Sequence, residues 1–331
     1  MIDLAHIARQ MVAPGKGLLA ADESNMSADK RLKLYGIEPS VEMRRTYREL
    51  FLNTPGIEAY LSGVILYEET LEQKGNDGVS FPESLASRGI IPGIKVDTGT
   101  EPFPQSADEL ITNGLIGLPE RLAEYRANYG TGFTKWRAVV KIDGDRLPTA
   151  TSLVENAKRL AEYARLVQEA GMVPILEPEV LLEGPHSRVR AREVLVRTIE
   201  TLMATLQDHA VDFSGVILKT AMAVSGSESG RLDSPEEVAE DTVGALIETV
   251  PSSVPGIVFL SGGQTPDQAT ENLRAITAKA REVHAPWPMT FSYARALQEE
   301  ALTIWAGKDE NMEAARAAYV ARLAKVADAL I

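Results

Sequence analysis

A closed (β/α)8 barrel, the TIM-barrel architecture, is the fold class this sequence predicts, and three observations predict it. Eight short apolar runs have strand character. They recur at intervals of roughly 30–45 residues, which leaves room for a strand, a loop and a crossover helix each time. No low-complexity linker divides them, so residues 1–331 read as one barrel domain with an N-terminal helix and C-terminal helices. A doubly wound open sheet competes, but no Gly-x-Gly-x-x-Gly turn follows the first strand to support it.

In chain order, the opening segment MIDLAHIARQMVAPGKG carries apolar residues at helical spacing, broken by His6 and Arg9. It reads as a helix and not as a signal peptide. The eight strands are then expected at GLLAAD (17–22), SGVILYE (62–68), IPGIKVD (91–97), FTKWRAVVKI (133–142), VPILEPE (173–179), FSGVILKT (213–220), GIVFLSG (256–262) and MTFSYA (289–294). Between the fourth and fifth strands, Ser152 to Ala170 places Leu153, Ala157, Leu160, Ala161, Ala164 and Val167 on one helical face, and Gly171 stops it. Ser234-Pro235-Glu236-Glu237 opens another helix with a cap, a proline and an acidic first turn. Thr265-Pro266-Asp267 does the same, and Asp309 to Ile331 is Ala-rich and helical.

Composition narrows the function classes. The net charge is −13, from 34 Lys plus Arg against 47 Asp plus Glu, which does not suit a nucleic-acid binder. It leaves room for a local cationic pocket, because sites focus their own field. Without cysteine there is no disulfide, no thiolate catalysis and no Cys-ligated zinc. The four histidines lack metal-ligand spacing. No apolar run approaches the roughly 20 residues of a membrane span. The expectation is a soluble cytoplasmic protein with no membrane partner, no metal and no cofactor.

The chemistry of such barrels sits at the C-terminal ends of the strands. Here those ends carry Asp22 on the first strand, Lys95 and Asp97 on the third, Glu177 and Glu179 on the fifth, and Lys219 on the sixth. Ser261-Gly262-Gly263 closes the seventh, and the eighth runs into Ser292 and Arg295. Side chains alternate faces along a strand, so Lys135, Arg137 and Lys141 share a face, as do Glu177 and Glu179, and Ile217 and Lys219. If those faces point inward, charges converge where an ordinary barrel is aliphatic. Plainer readings exist: Lys141 as a rim ion pair with Asp143, Asp97 as a loop cap.

A lysine in a dry pocket becomes a usable amine when it sheds its proton, which burial and a cationic neighbour favour. Lys135 is the neighbour expected for Lys219. A neutral amine attacks a ketone to form a Schiff base, whose iminium is an electron sink for an adjacent carbanion. Asp22, Glu177 and Glu179 supply acids and bases for its making and breaking. Ser261-Gly262-Gly263 exposes backbone N–H groups ahead of a helix N-terminus, a cradle for phosphate, and Arg295 adds a bidentate clamp. Lys30, Arg31, Arg44, Lys95 and Arg137 are candidates for a second phosphate. The residues thus point to a Schiff-base lyase acting on a phosphorylated ketose.

Through these residues the sequence resembles the class I fructose-bisphosphate aldolases, the metal-independent family. The matching stretches run nearly end to end: GKGLLAADES (15–24), GVILYEETLEQK (63–74), GIKVDTG (93–99), KWRAVVKI (135–142), VPILEPEVL (173–181), VILKTAM (216–222), FLSGGQT (259–265) and PWPMTFSYARALQEEAL (286–302). The resemblance implies that Lys219 is the Schiff-base lysine and Glu177 the acid/base of carbinolamine formation and dehydration. Lys135 assists those steps, Asp22 serves carbon–carbon cleavage at the 4-hydroxyl, and Glu179 balances charge. Ser261, Gly262, Ser292 and Arg295 correspond to the site of the phosphate on carbon 1. Ser24, Ser27, Arg31, Arg44, Lys95 and Arg137 correspond to substrate contacts, several near the other phosphate. A homotetramer is also implied, as is a part in glycolysis and gluconeogenesis.

There are departures from the family pattern. Thr220-Ala221 follows Lys219 where the family has Pro-Asn, Ala294 replaces a glycine, and Thr98 stands where lysine is common. Measured against the family's longer, tyrosine-ended tail, which tunes cleavage, the residues of this sequence run only to Ala329-Leu330-Ile331, and cleavage without that tail is the expectation. Two other readings stay open: a magnesium-dependent lyase using Asp22, Glu177 and Glu179 as ligands, and a non-catalytic scaffold that retains the fold. The lysines and Arg137 on facing strands oppose the first by repelling the cation.

Overall fold

The computed structural model describes residues 3–331; Met1 and Ile2, the start of the expected N-terminal helical segment, lie outside them. Helix α1 (Leu4–Met11) precedes strand β1 (Gly17–Ala21), and helices α2 (Asn25–Leu34) and α3 (Val41–Leu52) lead to β2 (Leu61–Leu66). Two short helices, α4 (Glu68–Glu72) and α5 (Phe81–Ser87), precede β3 (Ile91–Lys95). A hairpin of β4 (Thr100–Phe103) and β5 (Ser106–Thr112) and helix α6 (Leu118–Tyr129) intervene before β6 (Phe133–Val140). Strand and helix then alternate: α7 (Ala150–Glu169), β7 (Val173–Val180), α8 (Arg188–Asp208), β8 (Ile217–Thr220), α9 (Pro235–Thr249), β9 (Ile257–Phe259), α10 (Pro266–Glu282) and β10 (Met289–Tyr293). Helices α11 (Arg295–Trp305) and α12 (Met312–Ala327) finish the chain.

Eight strands close into a barrel in the order β1, β2, β3, β6, β7, β8, β9, β10, each neighbour parallel. These are the eight expected strands, several of them trimmed. Phe213–Gly215 is a 3-10 turn, so the sixth barrel strand starts only at Ile217. The seventh stops at Phe259 because Gly262 and Gly263 turn the chain at φ 55° and 93°. The β4–β5 hairpin was not expected. Its first strand is mostly exposed and contains Pro102, so it has neither apolar alternation nor an intact set of backbone donors.

The helix caps follow local chemistry. Ser234 and Glu237 make a reciprocal capping box, with Glu237 N donating to Ser234 Oγ at 3.2 Å and Ser234 N to Glu237 Oε2 at 3.0 Å. Thr265 Oγ1 accepts from Gln268 N at 3.2 Å. Helix α7 begins two residues before the expected Ser152, because the hydroxyl that caps it is that of Thr149. Asp143 pairs with Arg146 and not with the exposed Lys141, so the expected rim pair is replaced by a contact three residues along the chain. No described helix is long and apolar enough to cross a membrane.

The core has two parts. A large one lies between strands and surrounding helices. A smaller one fills the barrel, with Leu18, Ala20, Ile65, Phe133, Val173, Ile175, Ile217 and Val258 closed below by Ala8, Met11 and Val12. Phe133 dominates this floor. A Cβ at position 93 would meet its ring at 2.3 Å and one at position 63 at 2.9 Å, so both positions are glycine. Stepping two residues up from these inward positions gives Asp22, Lys135, Glu177 and Lys219. The apolar floor therefore gives way, one layer higher, to charge.

Candidate active site

Four strands deliver four buried charged side chains to that layer. Lys135 Nζ lies 2.6 Å from Asp22 Oδ2 and 3.3 Å from Glu177 Oε2, the latter an ion pair without hydrogen-bond geometry. Lys219 Nζ lies 3.0 Å from Glu177 Oε1. The result is a chain, Asp22–Lys135–Glu177–Lys219, of alternating sign and no net charge. Each member is less than a tenth exposed. Ions in such a place are tolerated only when closely paired.

Their protonation follows from the pairing. Burial pushes the Asp22 carboxyl up, but the attraction of Lys135, then of Lys219, outweighs it and holds Asp22 at about 2. Burial likewise opposes ionisation of Glu177, and Lys135, Lys219 and Arg137 bring it below the usual carboxylate range. Burial disfavours the Lys135 cation, yet Asp22 and Glu177 raise its pKa above the ordinary lysine value. Lys135 is thus a fixed cation, and Glu177 is an ionised acceptor against the amine of Lys219.

One layer higher, Arg137 is ion-paired to Glu179. Glu179 is therefore set apart from the four-residue chain, closing Arg137 instead of Lys219. Asp97 is more than a loop cap. Its Oδ1 lies 2.6 Å from Lys95 Nζ, its Oδ2 accepts from Arg137 N at 3.2 Å, and its main-chain carbonyl accepts from Lys95 Nζ at 2.7 Å. All three carboxylates that the metal reading would use are closed by cations: Asp22 by Lys135, Glu177 by Lys135 and Lys219, Glu179 by Arg137.

Ser261, Gly262 and Gly263 form the turn between β9 and α10, on the side of the barrel next to Lys219. Arg295 overhangs it: a Cβ on Gly263 would sit 3.7 Å from Arg295 Nη2. Arg295 has no ion pair among the described residues. Ser292 on β10 is buried, and its Oγ has no hydrogen-bond partner among them. Helix α11 starts at Arg295 behind Ala294, with no side chain capping its first N–H groups. An unpaired guanidinium, an unpartnered hydroxyl and free helix N–H groups beside left-handed glycines make an anion-binding arrangement.

The opposite side opens as a cleft of about 710 Å³, lined by Asp22, Ser24, Ser27, Lys95, Asp97 and Arg137 among others. Ser24 caps α2, accepting from Ser27 N at 3.3 Å. Arg31 is turned to Glu23 at 2.8 Å. Arg44 is not brought to the cleft, its guanidinium being bound to Glu69 at 2.7 Å and Asp29 at 2.8 Å. Thr98 is exposed on the cleft wall. Thr220 and Ala221 are buried, and Thr220 Oγ1 donates to Ala221 O at 3.3 Å.

Glu23 carries no signal in the sequence. It directly follows Asp22 and gathers Arg31, Tyr47 and Arg48, contacts no local pattern announces because two helices supply them.

Comparison with known proteins shows the family and the fold. The family model described as fructose-bisphosphate aldolase class-I matches residues 3–331. A protein of Xanthomonas axonopodis pv. citri named "Probable fructose-bisphosphate aldolase class 1" is 47% identical over 317 residues, 96% of this chain and 93% of its own. One from Arabidopsis thaliana named "Fructose-bisphosphate aldolase 6, cytosolic" is 46% identical over 93% of this chain and 85% of its own. A crystal structure of fructose-bisphosphate aldolase from Plasmodium falciparum superposes with a TM-score of 0.96 at 41% identity, covering 99% of this chain and 93% of that one.

Proposed function

The chain belongs to the class I fructose-bisphosphate aldolase family and is a carbon–carbon lyase of that class; from that premise we propose that it works through a Schiff base on Lys219. The substrate is D-fructose 1,6-bisphosphate, cleaved reversibly to glycerone phosphate and D-glyceraldehyde 3-phosphate. One observation carries this reading: Lys219 Nζ sits 3.0 Å from a carboxylate, Glu177, that shares Lys135 with Asp22.

Glu177 takes the proton that the Lys219 ammonium sheds, and the amine attacks the carbonyl carbon C2. Glu177 returns a proton to the carbinolamine hydroxyl, which leaves as water and gives the iminium. The C3–C4 bond then breaks, its electron pair moving into the iminium to form an enamine. Asp22 receives the proton of the 4-hydroxyl as glyceraldehyde 3-phosphate departs. Protonation at C3 and addition of water release glycerone phosphate and regenerate the amine. The fixed cation Lys135 keeps Asp22 and Glu177 ionised between steps.

Binding is assigned by the two sides of the mouth. Ser261, Gly262, Gly263, Ser292 and Arg295 take the phosphate on C1. Ser24, Ser27, Lys95 and Arg137 take the distal phosphate, Arg31 joins if released from Glu23, and Glu179 balances Arg137. Arg44 supports α2 and α3 from behind. The same reading makes the working form a homo-oligomer, a tetramer by family resemblance. It places the protein in the cytoplasm, serving glycolysis and gluconeogenesis.

A coupled cleavage assay run in EDTA, with Lys219→Met as blank, tests the proposal. Full activity in EDTA that vanishes in Lys219→Met is expected. Activity lost to EDTA in the unaltered protein would return the metal-dependent reading, and no activity under any condition the scaffold reading.

A further inference from the structure

We infer that Glu23 is a positioning residue for the carbon–carbon cleavage step, acting through Asp22; this rests on the cleavage role proposed for Asp22. Strand β1 is paired to its neighbour only as far as Ala21. Asp22 thus lies beyond the last paired residue, and its carboxylate must still meet Lys135 at 2.6 Å. Consecutive residues of extended chain face opposite ways, so when Asp22 turns into the barrel Glu23 turns out toward α2 and α3.

Both helices grip it there. Glu23 Oε1 accepts from Arg31 Nη1 at 2.8 Å and from Tyr47 Oη at 2.9 Å. Its Oε2 accepts from Arg48 Nη1 at 2.6 Å, and its main-chain carbonyl accepts from Arg48 Nη2 at 2.9 Å. Arg48 is itself only 3% exposed and lies 4.9 Å from the Tyr47 ring centroid. The grip is thus on the main chain as well as the side chain, at the Glu23–Ser24 peptide unit, one residue beyond Asp22. Burial opposes ionisation of Glu23, and Arg48 and Arg31 outweigh it. Buried charge pairs of this kind add little to stability compared with well-packed apolar groups, but they define one geometry. At a reacting centre that definition matters, since a displacement of about 1 Å costs on the order of a hundredfold in rate.

Making the Schiff base with glycerone phosphate needs Lys219 and Glu177 but no C3–C4 cleavage. The two halves of the reaction therefore separate a role through Asp22 from a merely structural one. Glu23→Gln keeps the volume and one acceptor oxygen but puts an amide against the buried Arg48. Its kcat for fructose 1,6-bisphosphate cleavage is expected to fall on the order of 10- to 100-fold. Borohydride trapping of glycerone phosphate on Lys219, in the same preparation, is expected to stay within about twofold. Tyr47→Phe removes one donor without touching any charge, and about a threefold fall in kcat with unchanged trapping is expected of it; this variant decides the matter should Glu23→Gln not fold. Cleavage and trapping falling together, or neither falling, in the folded variant overturns the inference. Asp22→Asn is run alongside. If it keeps cleavage, the role given to Asp22 fails first, whatever Glu23 does.

Discussion

Replacing Asp22 by asparagine has consequences for stability that can be worked from the structure. The carboxylate lies 2.6 Å from Lys135, and the attraction of Lys135, joined by that of Lys219, brings its pKa from 3.8 to about 2 despite burial. A pKa lowered on folding stabilises the folded state above the unfolded value, and the gain is lost as pH falls toward the folded value. A drop from 3.8 to about 2 corresponds to about 2 kcal/mol at neutral pH. By linkage nearly all of it persists to pH 5, about half, on the order of 1 kcal/mol, remains at pH 3, and about a sixth at pH 2. The amide introduced by Asp22→Asn has no proton to exchange, so the stability difference between the two proteins should narrow by about that amount between pH 5 and pH 3. Urea unfolding followed by the fluorescence of buried Trp136 and Trp305 gives the difference at each pH. A difference that stays constant over this window, or widens toward acid, refutes the pairing argument, whatever the variant's activity.

Three other outcomes are expected. Lys135→Met leaves Asp22 and Glu177 without their shared cation, and a loss of about 3–5 kcal/mol in urea unfolding is expected, together with slower trapping on Lys219. Arg295→Ala removes the unpaired guanidinium beside Gly263, so kcat/KM should drop about 10- to 100-fold, with inorganic phosphate becoming a weaker competitive inhibitor in steady-state kinetics. Gly93→Ala drives a methyl to 2.3 Å from the Phe133 ring, and about 1–3 kcal/mol of destabilisation with little change in KM should appear in the same urea titration.

Much of the barrel is legible in the sequence because both periods that define it are local. Alternation along each strand already puts Lys135 with Arg137, Glu177 with Glu179, and Lys219 with Ile217, and the structure turns all these faces inward. The caps at Ser234 and Thr265 are equally local. What was not legible is which charge meets which. Glu177 and Glu179 are equivalent by parity, and only the barrel's closure hands Glu177 to Lys219 and Lys135 while leaving Glu179 with Arg137. Arg44 is as basic in sequence as Lys95, yet Glu69 and Asp29 hold it away from the cleft. Glu23 gave no signal, since its partners come from two helices folded over it. The β4–β5 hairpin hid behind its exposure and Pro102.

The central claim is that the Lys219 amine carries the reaction covalently. Incubation with glycerone phosphate and borohydride, in EDTA, followed by peptide mapping by mass spectrometry, tests it most directly. One stoichiometric reduced adduct on Lys219 is expected, absent from Lys219→Met and slow to form in Glu177→Gln. An adduct on another lysine, or full cleavage activity with no adduct at all, would contradict it.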